Sequence, residues 1–215
     1  MSPKISRISN NLSDDDVSRD LQRYKDLAIK MGATDAKIIR SSQIIVDDRV
    51  RMKCLHPVCK GYGTNIHCPP YVGNLDETRK LISLYEYALF IMMKVPSNEL
   101  VGPNVEEEKR QMISSRKLNE IVSRIESAAF YDGHHFATGF STGCKSLWCP
   151  DEECSALLPG KSCRHPLKAR AGMDAVGMDV YTMAAKVGWE IYPIGKEANP
   201  KDVPHGLRLG LVLIR

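Results

Sequence analysis

Seven cysteines carry the chemistry-bearing pattern of this chain, and all seven fall in two short blocks. The first block runs Cys54, four residues, Cys59, eight residues, Cys68. The second repeats that spacing at Cys149, Cys154 and Cys163, with Cys144 four residues ahead of it. Both copies run into proline, as Cys68-Pro69-Pro70 and Cys163-Arg164-His165-Pro166. Thiolates are soft ligands, so a clustered and repeated set points to a metal or an iron–sulfur cluster. An odd number of cysteines would also leave one over in a pure disulfide framework.

The spacing separates the candidate groups. Structural zinc sites pair cysteines or histidines at short separations, and the four-then-eight layout is not a zinc-ribbon pattern. His134 and His135 are adjacent and point apart if they lie in a strand. Ferredoxin runs are dominated by gaps of two, which are also missing here. Longer loops bearing Gly61-Tyr62-Gly63 and Pro159-Gly160 suit wrapping a larger group and aiming backbone N–H donors at its sulfurs. The expected cofactor is one or two [4Fe–4S] clusters, with zinc as the alternative. Cys144, Cys149, Cys154 and Cys163 make a complete four-thiolate set. Cys54, Cys59 and Cys68 make a three-thiolate set. Its fourth position is open to His56, His67, a carboxylate, a small molecule or nothing. A rival division sends Cys144 to the first set.

A fully thiolate-ligated cluster mainly moves electrons, whereas an open iron position binds or reduces a ligand. The expected function is redox work, as an electron carrier or an accessory to an anaerobic metabolic enzyme. The alternatives are an enzyme built on the open three-cysteine site and a zinc-stabilised binding module. Lys145, Lys161, Arg164, Lys168 and Arg170 crowd the second block. Arg164 and Arg170 are candidate neighbours that would stabilise an anionic cluster, hold a small anionic ligand or dock an acidic redox partner. His67 is a candidate hydrogen-bond donor to sulfur, and Tyr62 and Trp148 are candidate shields against water. Gly61-x-Gly63 lacks the further glycine and strand–loop–helix setting of a dinucleotide loop. No nucleophile elbow supports a hydrolase.

The rest of the chain must position these loops. Its 30 basic and 26 acidic residues give +4, too mild and too interspersed to indicate nucleic acid. No apolar run approaches the roughly 18 residues of a membrane span. MSPKISRISNNLSDDD lacks the apolar core of a signal peptide, so a cytoplasmic protein with reduced thiols is expected. Residues 1–12 read as a flexible or extended tail, and 1–215 as one domain. Ser13 reads as an N-cap for a helix through Met31, closed by Gly32. Strands are expected at 36–40, 44–46, 88–93, 135–140, 189–194 and 207–214. Helices are expected at 76–87, 105–130 (its first turns, Glu106 to Arg110, solvated) and along Met173–Val187. A polar Pro/Gly loop is expected over 96–104. These helix-then-strand units imply an α/β or α+β fold: a central sheet flanked by helices, with the cysteines in loops.

Two further stretches carry a family resemblance. Cys59-x-x-Tyr62-Gly63 through Cys68-Pro69-Pro70-Tyr71 is the first. Cys163-Arg164-His165-Pro166, Ala169-Arg170 and Met173-Asp174-Ala175-Val176-Gly177-Met178-Asp179-Val180 form the second. Over residues 50–195 the chain resembles a cysteine-rich family of predicted metal-binding proteins of unknown function, found largely in anaerobic bacteria and archaea. The resemblance implies cluster binding by these cysteines and brings no catalysed reaction with it. The chain departs from the family at Arg170-Ala171-Gly172-Met173, where members carry Arg-Pro-Ser-Met, and in wider gaps from Cys144 to Cys154.

Overall fold

The computed structural model describes residues 5–8, 13–100, 105–195 and 197–215, with the backbone alone for 105–111. The expected tail over 1–12 therefore lies outside the described residues except at 5–8, where Ser6 N donates to Tyr131 O at 2.8 Å. The solvated reading of Glu106 to Arg110 and the end of the 96–104 loop also lie outside them.

Helix α1 spans Asp14–Lys30. Ser13 and Asp16 form the reciprocal capping box, so two otherwise unpaired N-terminal donors are satisfied. Its apolar stripe, Val17, Leu21, Tyr24 and Ala28, is buried. The chain then enters β1 (Asp35–Arg40), short α2 (Asp48–Met52), α3 (Leu75–Ser83) and β2 (Tyr87–Val95). After α4 (Val105–Tyr131) come β3 (Thr138–Phe140), α5 (Lys145–Trp148), α6 (Val180–Lys186) and β4 (Gly206–Ile214).

The strands form one antiparallel sheet in the order β1-β2-β4-β3, which makes the fold α+β. The central pair, β2 and β4, is apolar on both faces because both faces are covered. Leu89, Ile91, Val212 and Ile214 face α1 and α4, where they meet Leu21, Leu118 and Ile125. Ala88, Phe90, Leu211 and Leu213 face the opposite layer and pack with Met173, Met178, Met183 and Trp189. Side chains alternate across a strand, so one sequence serves two cores. Each large side chain fully buried there contributes roughly 1.5–3 kcal/mol, enough to make this pair the foundation of both cysteine loops.

Three expectations are corrected in the second layer. Residues 44–46 form no strand; a 3-10 turn at Ser41–Gln43 is followed by a lone bridge from Val46 to Met178. The stretch after Trp189 is irregular too: the indole is anchored by its N–H to Asp35 Oδ2 at 2.8 Å and packs on Phe90. The helix expected along Met173–Val187 is broken into a 3-10 turn, Asp174–Val176, and α6. Gly177 causes the break, with φ 78°, and a Cβ there would stand 2.5 Å from Leu75 Cδ2. β3 is shorter than expected, and His134 precedes it at a turn.

Candidate metal centre

The first block hangs from the end of α2. Asp47 caps that helix, its carboxylate accepting from Arg49 N at 2.8 Å. Backbone turns then place the thiols: Cys59 N donates to Cys54 O at 3.0 Å, and Cys68 N to Asn65 O at 3.3 Å. Gly61 lies against two of them. A Cβ at Gly61 would meet Cys68 Sγ at 3.0 Å and Cys59 Sγ at 3.9 Å, so the loop needs glycine to bring both sulfurs inward. Gly61 N also donates to Cys59 Sγ at 3.5 Å. Cys54 is buried, Cys68 half-buried and Cys59 exposed. Burial raises the Cys54 thiol pKa, and the charges of Asp174 and Cys59 raise it further. Burial also raises Cys68, opposed by a hydrogen bond from Asn65 and reinforced by Asp174. The three thiols thus share one electrostatic neighbourhood.

Arg51 locks this block to the layer that carries Met173 and Met178. Its Nη1 donates to Ala175 O at 2.6 Å, and Nη2 donates to Gly73 O. That clamp holds Asp174 beside the block, and the Asp174 carboxylate has no hydrogen bond or ion pair among the described residues.

The second block leaves β3 and folds over α4. Cys144, Cys149, Cys154 and Cys163 line one partly enclosed pocket, joined by His67 and Trp148. Arg116 on α4 holds α5 in place through Leu147 O, at 3.0 and 2.8 Å. Lys145 Nζ caps the carbonyls of Cys149 and Glu152. His165 N donates to Cys163 Sγ at 3.4 Å, the same two-residue N–H···S turn seen from Gly61 to Cys59. Burial pushes the Cys144 thiol up to about 12, and the charges of Cys68, Cys154, Cys163 and Cys149 add to the shift in that order. Such a thiol stays protonated at neutral pH until a cation replaces its proton.

The two blocks touch. Asn65, Ile66 and His67 belong to the first by sequence but line the pocket of the second. His67 Nδ1 stands 3.1 Å from Cys144 Sγ. Burial lowers the His67 pKa, and the Arg170 charge lowers it further. Cys144 therefore lies at the junction: it shares a pocket with the second set, yet Cys68 is the thiol whose charge bears on it most.

The other sequence candidates divide clearly. Arg164 lines the pocket rim, where it pairs with Glu152 at 3.0 Å and donates to Glu153 O at 2.8 Å. Arg170 does not line the pocket; its Nε is paired with Glu126 of α4, and Nη1 donates to Ala169 O at 2.7 Å. Trp148 lies between cations, with Lys168 at 4.9 Å and Arg116 at 5.6 Å from the ring centre. Tyr62 is half-buried, its N donating to Cys59 O at 3.0 Å, and it is not in the pocket wall. His134 is committed elsewhere, with Nε2 3.1 Å from Asp20 Oδ2. Sequence reasoning missed Arg51, Asn65, Asp174 and Arg116. Asn65 and Asp174 fell inside the stretches that carry the family resemblance, whereas Arg51 and Arg116 lie outside them.

Thiol donors lining one pocket fit a soft metal group. Among the described residues, no three His, Cys, Asp or Glu side chains converge tightly enough to hold a single ion. Fold and site together define an α+β protein in which an antiparallel sheet and its covering helices carry two adjoining thiol-rich loops. The family model described as "Predicted metal-binding protein (DUF2284)" matches residues 37–214, and the chain belongs to that family. The matched range takes in both cysteine blocks and three complete strands, β2, β3 and β4. No curated protein and no solved structure matches the chain. No helix among the described residues is long and apolar enough to cross a membrane.

Proposed function

We propose that this metal-binding protein is an iron–sulfur protein that handles electrons for a partner, with Cys144, Cys149, Cys154 and Cys163 holding one [4Fe–4S] cluster and Cys54, Cys59 and Cys68 a second. One observation carries the reading: four cysteines line a single pocket, and that pocket is walled on one side by the loop bearing the other three. A cluster, when bound, supplies one-electron redox chemistry at a potential set by its ligands, its charge and the hydrogen bonds to its sulfurs. The chain's own groups suit that task. His67 Nδ1, Gly61 N and His165 N stand within hydrogen-bonding reach of the sulfurs of Cys144, Cys59 and Cys163, and N–H donors at ligand sulfurs tune the potential of a bound cluster. Trp148 lines the pocket with its apolar ring. Arg164 puts a cation on the rim, where it offsets thiolate charge and faces an acidic redox partner.

A second reading has its own support. The first set offers three thiols, with the exposed Cys59 at its outer edge, and this leaves a coordination position open to a small anionic ligand. Zinc is the alternative occupant, and it would be held by four donors at about 2.0–2.3 Å from one centre. The test is the iron, sulfide and zinc content of protein purified without oxygen, with its visible spectrum. About eight irons per chain would support two four-iron clusters, and about four would support one. Zinc without iron or colour would overturn the redox reading and leave a binding module.

A further inference from the structure

We infer that the two cysteine sets form one two-centre unit, meeting at Cys68 and Cys144, in which the segment from Asn65 to Cys68 serves both centres. The inference rests on the iron–sulfur reading above and adds to it a route for the electron and a residue that tunes it.

Three observations carry it. The wall segment crosses from one block to the other, since Asn65 and His67 line the pocket of the second set while Cys68 is a thiol of the first. His67 Nδ1 is 3.1 Å from Cys144 Sγ. Consecutive Cα atoms are about 3.8 Å apart, so one peptide unit separates the side chain touching Cys144 from the next set's thiol. The segment is also tied down by burial and hydrogen bonds. Asn65 is 1% exposed, and its Oδ1 accepts from His67 N at 3.0 Å and lies 3.8 Å from Cys144 Sγ. Cys68 N bonds back to Asn65 O.

The chemistry is a one-electron exchange. An external one-electron donor, a low-potential iron–sulfur or flavin carrier, reduces one centre. That centre passes the electron to the other and returns to its oxidised state as the other is reduced; no bond is made or broken. His67 acts as a positioning residue. A hydrogen bond from its imidazole to the Cys144 thiolate stabilises the more negative, reduced state of that centre and raises its potential relative to the unbonded sulfur.

Electron paramagnetic resonance of the full chain, purified without oxygen, assayed for iron and reduced with dithionite, tests the inference. A spectrum broadened and split by interaction between two reduced centres is expected. In Cys54→Ser, which removes one centre, it should collapse to a single unsplit signal. His67→Ala should keep its iron and show a lower midpoint potential for one centre, partly recovered in His67→Asn, which retains a side-chain N–H donor. Eight irons per chain with two additive, unsplit signals would overturn the inference and leave the iron–sulfur reading standing. Unchanged potentials in an iron-replete His67→Ala protein would remove the role of His67. A chain without iron would fail the reading itself at the first assay, before any spectrum, and the inference with it.

Discussion

In the first cysteine block the thiols run from buried Cys54 through half-buried Cys68 to exposed Cys59, and an arginine gripping two backbone carbonyls holds the loop down. In the second, four thiols share one pocket, and α4 ties the block down twice, through the Arg170–Glu126 ion pair and through Arg116 on Leu147 O. The spacing between cysteines is the same. What differs is the neighbourhood: Asp174 beside the first, and Arg164, Lys168 and Trp148 beside the second. Equal spacing therefore fixes only how far the chain can reach between sulfurs. The charge around them, and the openness of the site, are set by residues the spacing does not contain. An exposed edge suits a centre that exchanges a ligand, and a cation-rimmed pocket suits one that only carries charge.

The sharpest way to break this comparison is to remove one set. On the proposed iron–sulfur reading, Cys154→Ser takes a buried thiol from the second pocket and should cost all the iron of that set, about half the total, while the first set stays loaded. Loss of all iron would show that the sets are not independent. Cys144→Ser tests the junction. It should strip the second set more than the first; emptying the first would assign Cys144 to Cys54, Cys59 and Cys68.

Two arginine ties come next. Arg170→Met leaves the Glu126 carboxylate unpaired at 20% side-chain exposure, and Arg51→Met leaves Ala175 O and Gly73 O without their donor. Each loss is expected to cost about 1–3 kcal/mol in unfolding free energy. Each should also loosen iron from its own block first, as followed by denaturant titration with absorbance at the cluster bands. Equal iron loss from both blocks in either variant would mean that the ties are not local.

A smaller effect should reach both blocks alike. Burial alone would raise the Asp35 carboxyl, but the Trp189 N–H, the Ala36 N–H and Lys37 outweigh it and hold the pKa below the ordinary carboxylate value. A depressed folded-state pKa contributes stability above the unfolded value, and that contribution is lost as pH falls through the folded one. Acid below about pH 4 should therefore release Trp189 from β1, seen as a change in tryptophan fluorescence that Asp35→Asn abolishes. Asp35 belongs to the sheet that carries both loops, so neither set should be lost before the other on this account.

The sequence made the scaffold legible where one local rule acted alone. Ser13 capping α1 and the doubly apolar runs of β2 and β4 needed only capping and periodicity. It misled where tertiary contact overrode pattern. The apolar spacing from Met173 to Val187 is truly helical in period, but the left-handed turn at Gly177 lets the chain pass Leu75 and breaks the helix there. Ile44 is buried, and Ile45, Val46 and Ile191 are partly buried against the core around Phe90, without joining the sheet as strands. At the site, spacing identified the thiols and their grouping into blocks. It did not reveal that His67 faces Cys144, or that Asp174 and Arg51 stand by the first set. Those neighbours meet only after the sheet has folded, and no periodicity encodes them.

The smallest effect sharpens the comparison most finely. Arg164 has two partners, the Glu152 carboxylate and Glu153 O, and its side chain is 39% exposed against 60% for Glu152. An ion pair that open is worth at most about 1 kcal/mol, so Arg164→Gln should leave the unfolding midpoint nearly unchanged. Its rim position gives it a different lever, because removing a cation beside the pocket makes a negative cluster harder to reduce. The midpoint potential of the second set should fall while that of the first stays put. Raising the salt should shrink the difference, since about 0.15 M ionic strength screens exposed charges beyond about 8 Å. A potential shift shared by both sets, or one indifferent to salt, would mean that Arg164 acts by holding the loop through Glu153 O and not by its charge. The cation-rimmed character of the second pocket would then rest on Lys168 instead.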